Sequence, residues 1–109
     1  MSRSKGNQAE DLACDFLRNG GYEIIDRNVH SRFGEIDIIA LKEGVLHFVE
    51  VKSADSYEKA VANITPEKLR RILKTANFYM QRHQLDIEHM FDAVIVTGES
   101  LSIIENITL

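Results

Sequence analysis

Phe33-Gly34-Glu35-Ile36-Asp37-Ile38-Ile39-Ala40, and soon after it Phe48-Val49-Glu50-Val51-Lys52, decide how this chain is read. Both runs have the apolar, β-branched character of core strands, yet each carries acidic residues. A charge within a buried strand is costly unless it is paired, hydrogen-bonded or bound to a metal. Glu50 and Lys52 are two apart, so on a strand they share a face. Lys42-Glu43-Gly44 between the runs marks a tight hairpin, which brings Asp37 opposite Val49 or Glu50. Two carboxylates ~4 Å apart repel by about 4 kcal/mol at an effective dielectric near 20. A hard divalent cation such as Mg²⁺ offsets that cost. Lys52 beside it would orient an attacking water or stabilise developing phosphate charge. The same spacing also reads as strand-end charges in a salt bridge with Lys52 or Arg27, and spacing alone does not separate the two.

Working outward, the third strand spans Val45–Lys52 and is apolar on both faces, as for a central strand covered on both sides. The second strand is Glu35–Ala40, after a turn at Ser31–Gly34, and the first is Tyr22–Val29. Before them, Ala9, Leu12, Ala13, Phe16 and Leu17 have the spacing of an amphipathic helix over Asn7–Asn19. Gly20 is the expected left-handed cap. Residues 53–64 show no period and read as a flexible loop. Thr65-Pro66-Glu67 opens a helix to about His83: a Thr cap, Pro at the first position and an acid in the first turn. Its expected stripe is Leu69, Ile72, Leu73, Ala76, Tyr79 and Met80. Phe91–Thr97 and Leu101–Ile107 are the last strands. The order α-β-β-β-α-β-β implies an antiparallel meander, then a helical crossover to a parallel strand, hence a mixed α/β sheet flanked by helices. One domain spans 1–109, with residues 1–6 expected to be mobile.

Other chemistry-bearing residues are fewer. Glu10 lies at the edge of the first helix's stripe, where it would lean over the sheet; Asn7-x-x-Glu10 also resembles a capping box. Lys68 flanks the stripe of the later helix, within reach of a phosphate or simply solvated. The four histidines have no metal-ligand spacing, and Cys14 has no base in view. No Gly-rich phosphate loop is present.

Composition sets the class. The 109 residues are 44% apolar and 28% charged, ordinary for one globular domain. No run approaches the ~18 apolar residues of a membrane span. The absence of a signal-like start and the single cysteine lead to a cytoplasmic expectation. The net charge of −4 argues against strong general nucleic-acid affinity. Charge is segregated, however: Thr65 to His83 holds five basic residues against one acid, and Gln84 to Leu109 holds five acids and no Lys or Arg.

Arg27-Asn28, Arg32-Phe33-Gly34-Glu35-Ile36-Asp37-Ile38-Ile39-Ala40, Phe48-Val49-Glu50-Val51-Lys52 and Thr65-Pro66-Glu67-Lys68 together resemble the bacterial YraN-like family of uncharacterised proteins. The similarity covers nearly the whole chain, and G-E-x-D with F-V-E-V-K is far more specific than E-x-K alone. The resemblance implies a restriction-endonuclease-like αβββαβ core with an extra C-terminal strand, related to Holliday-junction resolvases. It implies a Mg²⁺- or Mn²⁺-dependent endonuclease acting on DNA, branched DNA included, and a homodimer. It maps Asp37, Glu50 and Lys52 onto the catalytic signature, adds Glu10 as a first-helix acid, and implies Asp37, Glu50, Glu10 and the Val51 carbonyl as metal ligands. Lys68, Arg71, Arg32 and Arg27 are the expected nucleic-acid contacts. Ser53-Ala54, His30 and Leu69 stand where relatives often carry phosphate-binding residues. The alternatives are a non-catalytic nucleic-acid- or partner-binding domain on the same fold, or a small subunit of a larger complex.

Overall fold

Two turns fix the meander at the centre of the fold. Glu43 and Gly44 both take positive φ, the two-residue turn that joins β2 (Gly34–Lys42) to β3 (Val45–Ser53). Ser31 to Gly34 closes the other hairpin, from β1 (Glu23–Ser31) into β2. The computed structural model describes residues 5–98 and 100–108. A five-stranded sheet runs in the order β1-β2-β3-β4-β5, where β4 is His89–Thr97 and β5 is Ser100–Ile104. Every neighbouring pair is antiparallel except β3 with β4, which is parallel. This is the expected mixed α/β sheet, with β5 as the extra strand. The last strand is shorter than its apolar pattern suggests. After Ile104 the chain is held instead by Ile107, whose N–H donates to the Phe91 carbonyl at 2.7 Å.

The helices cover both faces. On one, α1 (Lys5–Asn19) lays Ala9, Ala13, Cys14 and Leu17 on Ile38, Ala40, Val49, Val94 and Val96. On the other, α3 (Pro66–Arg82) packs Ile72, Ala76 and Tyr79 on Ile36, Ile39, Leu46, Phe48 and Phe91. The α3 start follows its sequence: Thr65 Oγ1 accepts the Lys68 N–H at 3.2 Å, and Pro66 occupies the first turn.

Four expectations are corrected. The 53–64 stretch contains a helix, α2 (Tyr57–Ala62), capped by Ser56 Oγ accepting the Lys59 N–H at 3.2 Å. It is too short to show a period, and it seats Ala60 against Ala93 and Ile95. The face of α1 is rotated: Leu12 is 46% exposed, while Glu10 and Cys14 are buried. On α3, Leu73 points outward and Thr75 takes its place inside. The left-handed residue after α1 is Gly21, at φ +90°, not Gly20. The Tyr22 N–H returns to the Leu17 carbonyl and the Gly21 N–H to the Arg18 carbonyl, a Schellman ending. The mobile start expected for residues 1–6 lies outside the described residues, except for Lys5 and Gly6, which open α1.

Candidate active site

The alternation of β2 fails at Asp37. Ile38 and Ala40 join the α1 cluster, but Ile36 joins the α3 cluster. Opposite this point Asn28 has left-handed backbone, φ +53°, between the registered pairs Arg27–Ile38 and Val29–Ile36. Asn tolerates that conformation better than most residues, because its short polar side chain bonds locally. On the other side, the registered pairing of β2 with β3 ends at Ile38–Val49. Beyond it the Val51 N–H donates to Asp37 Oδ2 at 2.8 Å, so a side chain stands in for the ladder.

A cleft of about 490 Å³ opens where the strands part, lined by Glu10, Glu35, Asp37, Glu50, Lys52 and Lys68, together with Ala9, Val51, Ser53 and Asn63. Glu10 arrives from α1 on one face of the sheet. Lys68, at the start of α3, and Asn63, at the end of α2, arrive from the other. Lys68 Nζ donates to the Asn63 carbonyl at 3.0 Å, which fixes the ammonium at the rim.

Asp37 is the most perturbed acid in this cleft. Burial first, then the charge of Glu50, push its carboxyl up to about 7. The Val51 N–H opposes this, hydrogen bonding with Glu50 adds to it, and Lys52 draws it down. The raised value belongs to Asp37, whose ionisation is opposed by burial and by the neighbouring Glu50. Glu50 has partial compensation, its Oε1 lying 3.1 Å from Lys52 Nζ. The salt-bridge reading therefore accounts for Glu50, while Asp37 has no ion pair of its own among the described residues.

Glu10 is well inside α1, which excludes the capping-box reading. Its carboxyl is raised by burial and then by the charge of Asp37, against Arg27 and Asn28. Glu10 Oε1 is buried and, among the described residues, has no hydrogen bond; Arg27 Nη2 is 3.6 Å away. Arg27 is itself committed to Asp11 at 2.9 Å. Among the described residues, no three Asp, Glu, His or Cys side chains converge closely enough to hold an ion. Glu10 faces the acidic pair without closing into a three-carboxylate set. Two carboxylates suffice for Mg²⁺, which keeps several waters and completes its shell with substrate phosphate, so the residues present fit such an ion.

The remaining expected contacts divide. Lys68 is in the cleft. Arg71 is one turn further along α3 and pairs with Glu67 at 2.8 Å. Arg32 is outside the cleft, its guanidinium over the Phe33 ring. Sequence reading passed over Asn63, gave no site role to Asn28 or Ser53, and did not place Glu35 in the cleft wall, where it lies 3.3 Å from His30. It also passed over a buried pair at the other end of the sheet, His47 Nδ1 with Asp92 Oδ2 at 2.6 Å. The E-x-K strand is a usable signal for Ser53, which directly follows its lysine; no local sequence pattern marks Asn63.

The profile of the uncharacterised protein family UPF0102 matches residues 9–96. The chain belongs to this family. A UPF0102 protein of Sulfurimonas denitrificans is 58% identical over 109 residues, covering all of both chains. One of Wolinella succinogenes is 52% identical over 109 residues, again all of both, and one of Helicobacter hepaticus is 51% identical over 108 residues, 99% of this chain and 97% of its own. UPF0102 is the YraN-like family to which the G-E-x-D and F-V-E-V-K motifs point. The motifs that carry that resemblance are the ones that line the cleft.

Proposed function

We propose that this protein is a Mg²⁺- or Mn²⁺-dependent phosphodiesterase acting on DNA, with branched DNA among its substrates. The observation that carries this reading is Asp37: a buried carboxyl raised to about 7, set against Glu50 in an open cleft that also presents Lys52 and Lys68. A fold does not maintain that repulsion for stability, and it is relieved when a cation enters. Asp37 and Glu50 would hold the ion, with the Val51 carbonyl beside them and Glu10 across the cleft. A divalent cation there supplies charge for the phosphoryl oxygens and a more acidic bound water. Lys52, fixed by Glu50, orients the attacking water or meets the charge that develops on the phosphate. The Val51 N–H holds Asp37 in one orientation, and Lys68 steadies the phosphate at the rim.

The test is incubation of wild type and Asp37→Ala with linear, flapped and four-way DNA in Mn²⁺. Cleavage by the wild type alone is expected; equal residual activity in both would sink the assignment. A second reading, a nucleic-acid-binding domain without turnover, draws on the net charge of −4 and on Arg27 and Arg71 being tied to acids of their own chain. Binding without metal-dependent cleavage on any of the three substrates would favour it.

A further inference from the structure

The turn between β1 and β2 carries a second group of residues outside the cleft. Four cations of this chain are paired with its own acids: Arg18 with Asp15, Arg27 with Asp11, Lys52 with Glu50 and Arg71 with Glu67. Arg32 and Lys74 are not. Among the described residues neither is in an ion pair, and both lie against one aromatic ring: Arg32 Cζ is 4.9 Å and Lys74 Nζ 5.5 Å from the centroid of Phe33. The ring is half-buried, and Arg32 and Lys74 are exposed.

The turn is fastened to α3. Ser31 Oγ accepts the Phe33 N–H at 3.0 Å and lies 2.8 Å from Thr75 Oγ1, which is fully buried. A Cβ at Gly34 would sit 3.3 Å from the Arg71 Cβ, so glycine lets the turn lie directly on the helix. Phe33 is thus a pre-positioned aromatic rather than the tip of a loose loop. Lys68, Arg71 and Lys74 follow at three-residue steps, each advancing about 4.5 Å along α3. They connect the cleft rim to the Phe33 ring.

We infer that this surface receives an unpaired nucleic-acid strand next to the scissile phosphate, with a base stacked on Phe33 and the Arg32 guanidinium and its phosphates on Lys74. Aromatic rings and guanidinium planes take bases of any sequence, whereas paired bases within a duplex are not available to stack on them. Cations beside the ring add attraction to phosphate and to the π-face. The preferred substrate class is therefore a junction between duplex and single strand, such as a tail or flap. The inference takes its nucleic-acid substrate from the reading above and depends on no step of the cleavage chemistry.

The chain has no tryptophan, so Phe33→Trp places a lone reporter at the contact. In EDTA, where no cleavage occurs, its emission should be quenched by a duplex with an unpaired tail and little changed by the blunt duplex. Ile87→Trp, beyond the far end of α3, should respond to neither. Phe33→Leu should bind the tailed duplex about tenfold more weakly, roughly 1.4 kcal/mol, with blunt-duplex affinity unchanged. Equal quenching by both DNAs, no quenching, or unchanged tail affinity in Phe33→Leu overturns the inference. Quenching by tailed DNA that is never cut in Mn²⁺ would leave this surface standing and remove the phosphodiesterase reading. Cleavage with a silent Phe33 would do the reverse.

Discussion

Two aspartates are buried at different ends of one sheet, and they are treated in opposite ways. Asp92, on β4, has no exposed surface; its Oδ2 is 2.6 Å from His47 Nδ1, and its Oδ1 accepts the Asn106 N–H at 2.9 Å. Every oxygen has a partner, and the carboxylate ties β3 to the chain that follows β5. Asp37, on β2, is 8% exposed and has one N–H donor, with Glu50 against it. The first arrangement is what a structural carboxylate needs. The second is held against its own repulsion beside an open cleft. A buried acid in a strand is thus no sign of function by itself; the sign is an acid placed beside a second acid where solvent and a ligand can enter.

The largest expected effect separates the two by activity. Asp37→Asn should lower Mn²⁺-dependent DNA cleavage at least about a hundredfold, as loss of an ion-holding carboxylate does. Asp92→Asn, in protein shown folded by circular dichroism, should leave the rate within a few-fold.

Stability reverses the ranking. Asp92→Ala leaves His47 and the Asn106 N–H without their buried partner and should cost about 3 kcal/mol in urea denaturation. A loss well below 1 kcal/mol would mean that the pair is not structural.

Asp37→Asn should instead stabilise the metal-free protein, and the sign follows from its raised carboxyl. Between the ordinary carboxylate value and about 7, folded protein holds a proton that the unfolded chain has lost, so wild-type stability falls as pH rises through that window. Below the window both states are protonated and the penalty vanishes. Asn accepts from the Val51 N–H and donates to Glu50, as the protonated acid does. The variant should match wild type near pH 4 and exceed it by on the order of 4 kcal/mol near pH 8 in chelator. A constant offset at all pH values would refute the account of the repulsion.

The smallest effect belongs to Glu10. Its buried Oε1 lacks a hydrogen bond among the described residues and its charge adds to that of Asp37, so Glu10→Gln should raise metal-free stability at neutral pH by roughly 1 kcal/mol or less. Destabilisation of that size would show that the Arg27 contact outweighs the repulsion.

Sequence patterning reads the sheet well because its signals are local. Glu43-Gly44 sets the hairpin, and the capped start at Thr65 sets the crossover helix. Asp37, Glu50 and Lys52 stand out because a charge in an apolar run is conspicuous. What escapes reading depends on partners distant in sequence. His47 and Asp92 are 45 residues apart, and neither neighbourhood shows that they meet. The face of α1 is misjudged for a related reason. A periodicity of apolar residues counts Leu12 in and sets Glu10 at the edge of the stripe, whereas the helix leaves Leu12 exposed and buries Glu10 in the cleft wall. The six residues of α2 give too little sequence for a period, so Asn63 and its hold on Lys68 are invisible until the helix is seen.

The most direct test is calorimetric titration of Mn²⁺ into the protein at pH 8. Wild type and Asp92→Asn should bind the ion, and Asp37→Asn should not. At pH 6, repetition in buffers of different ionisation enthalpy should show wild type releasing up to about one proton per ion, the one held on Asp37. Equal binding by Asp37→Asn, or no binding by the wild type, would contradict the assignment of this pair as the ion-holding centre.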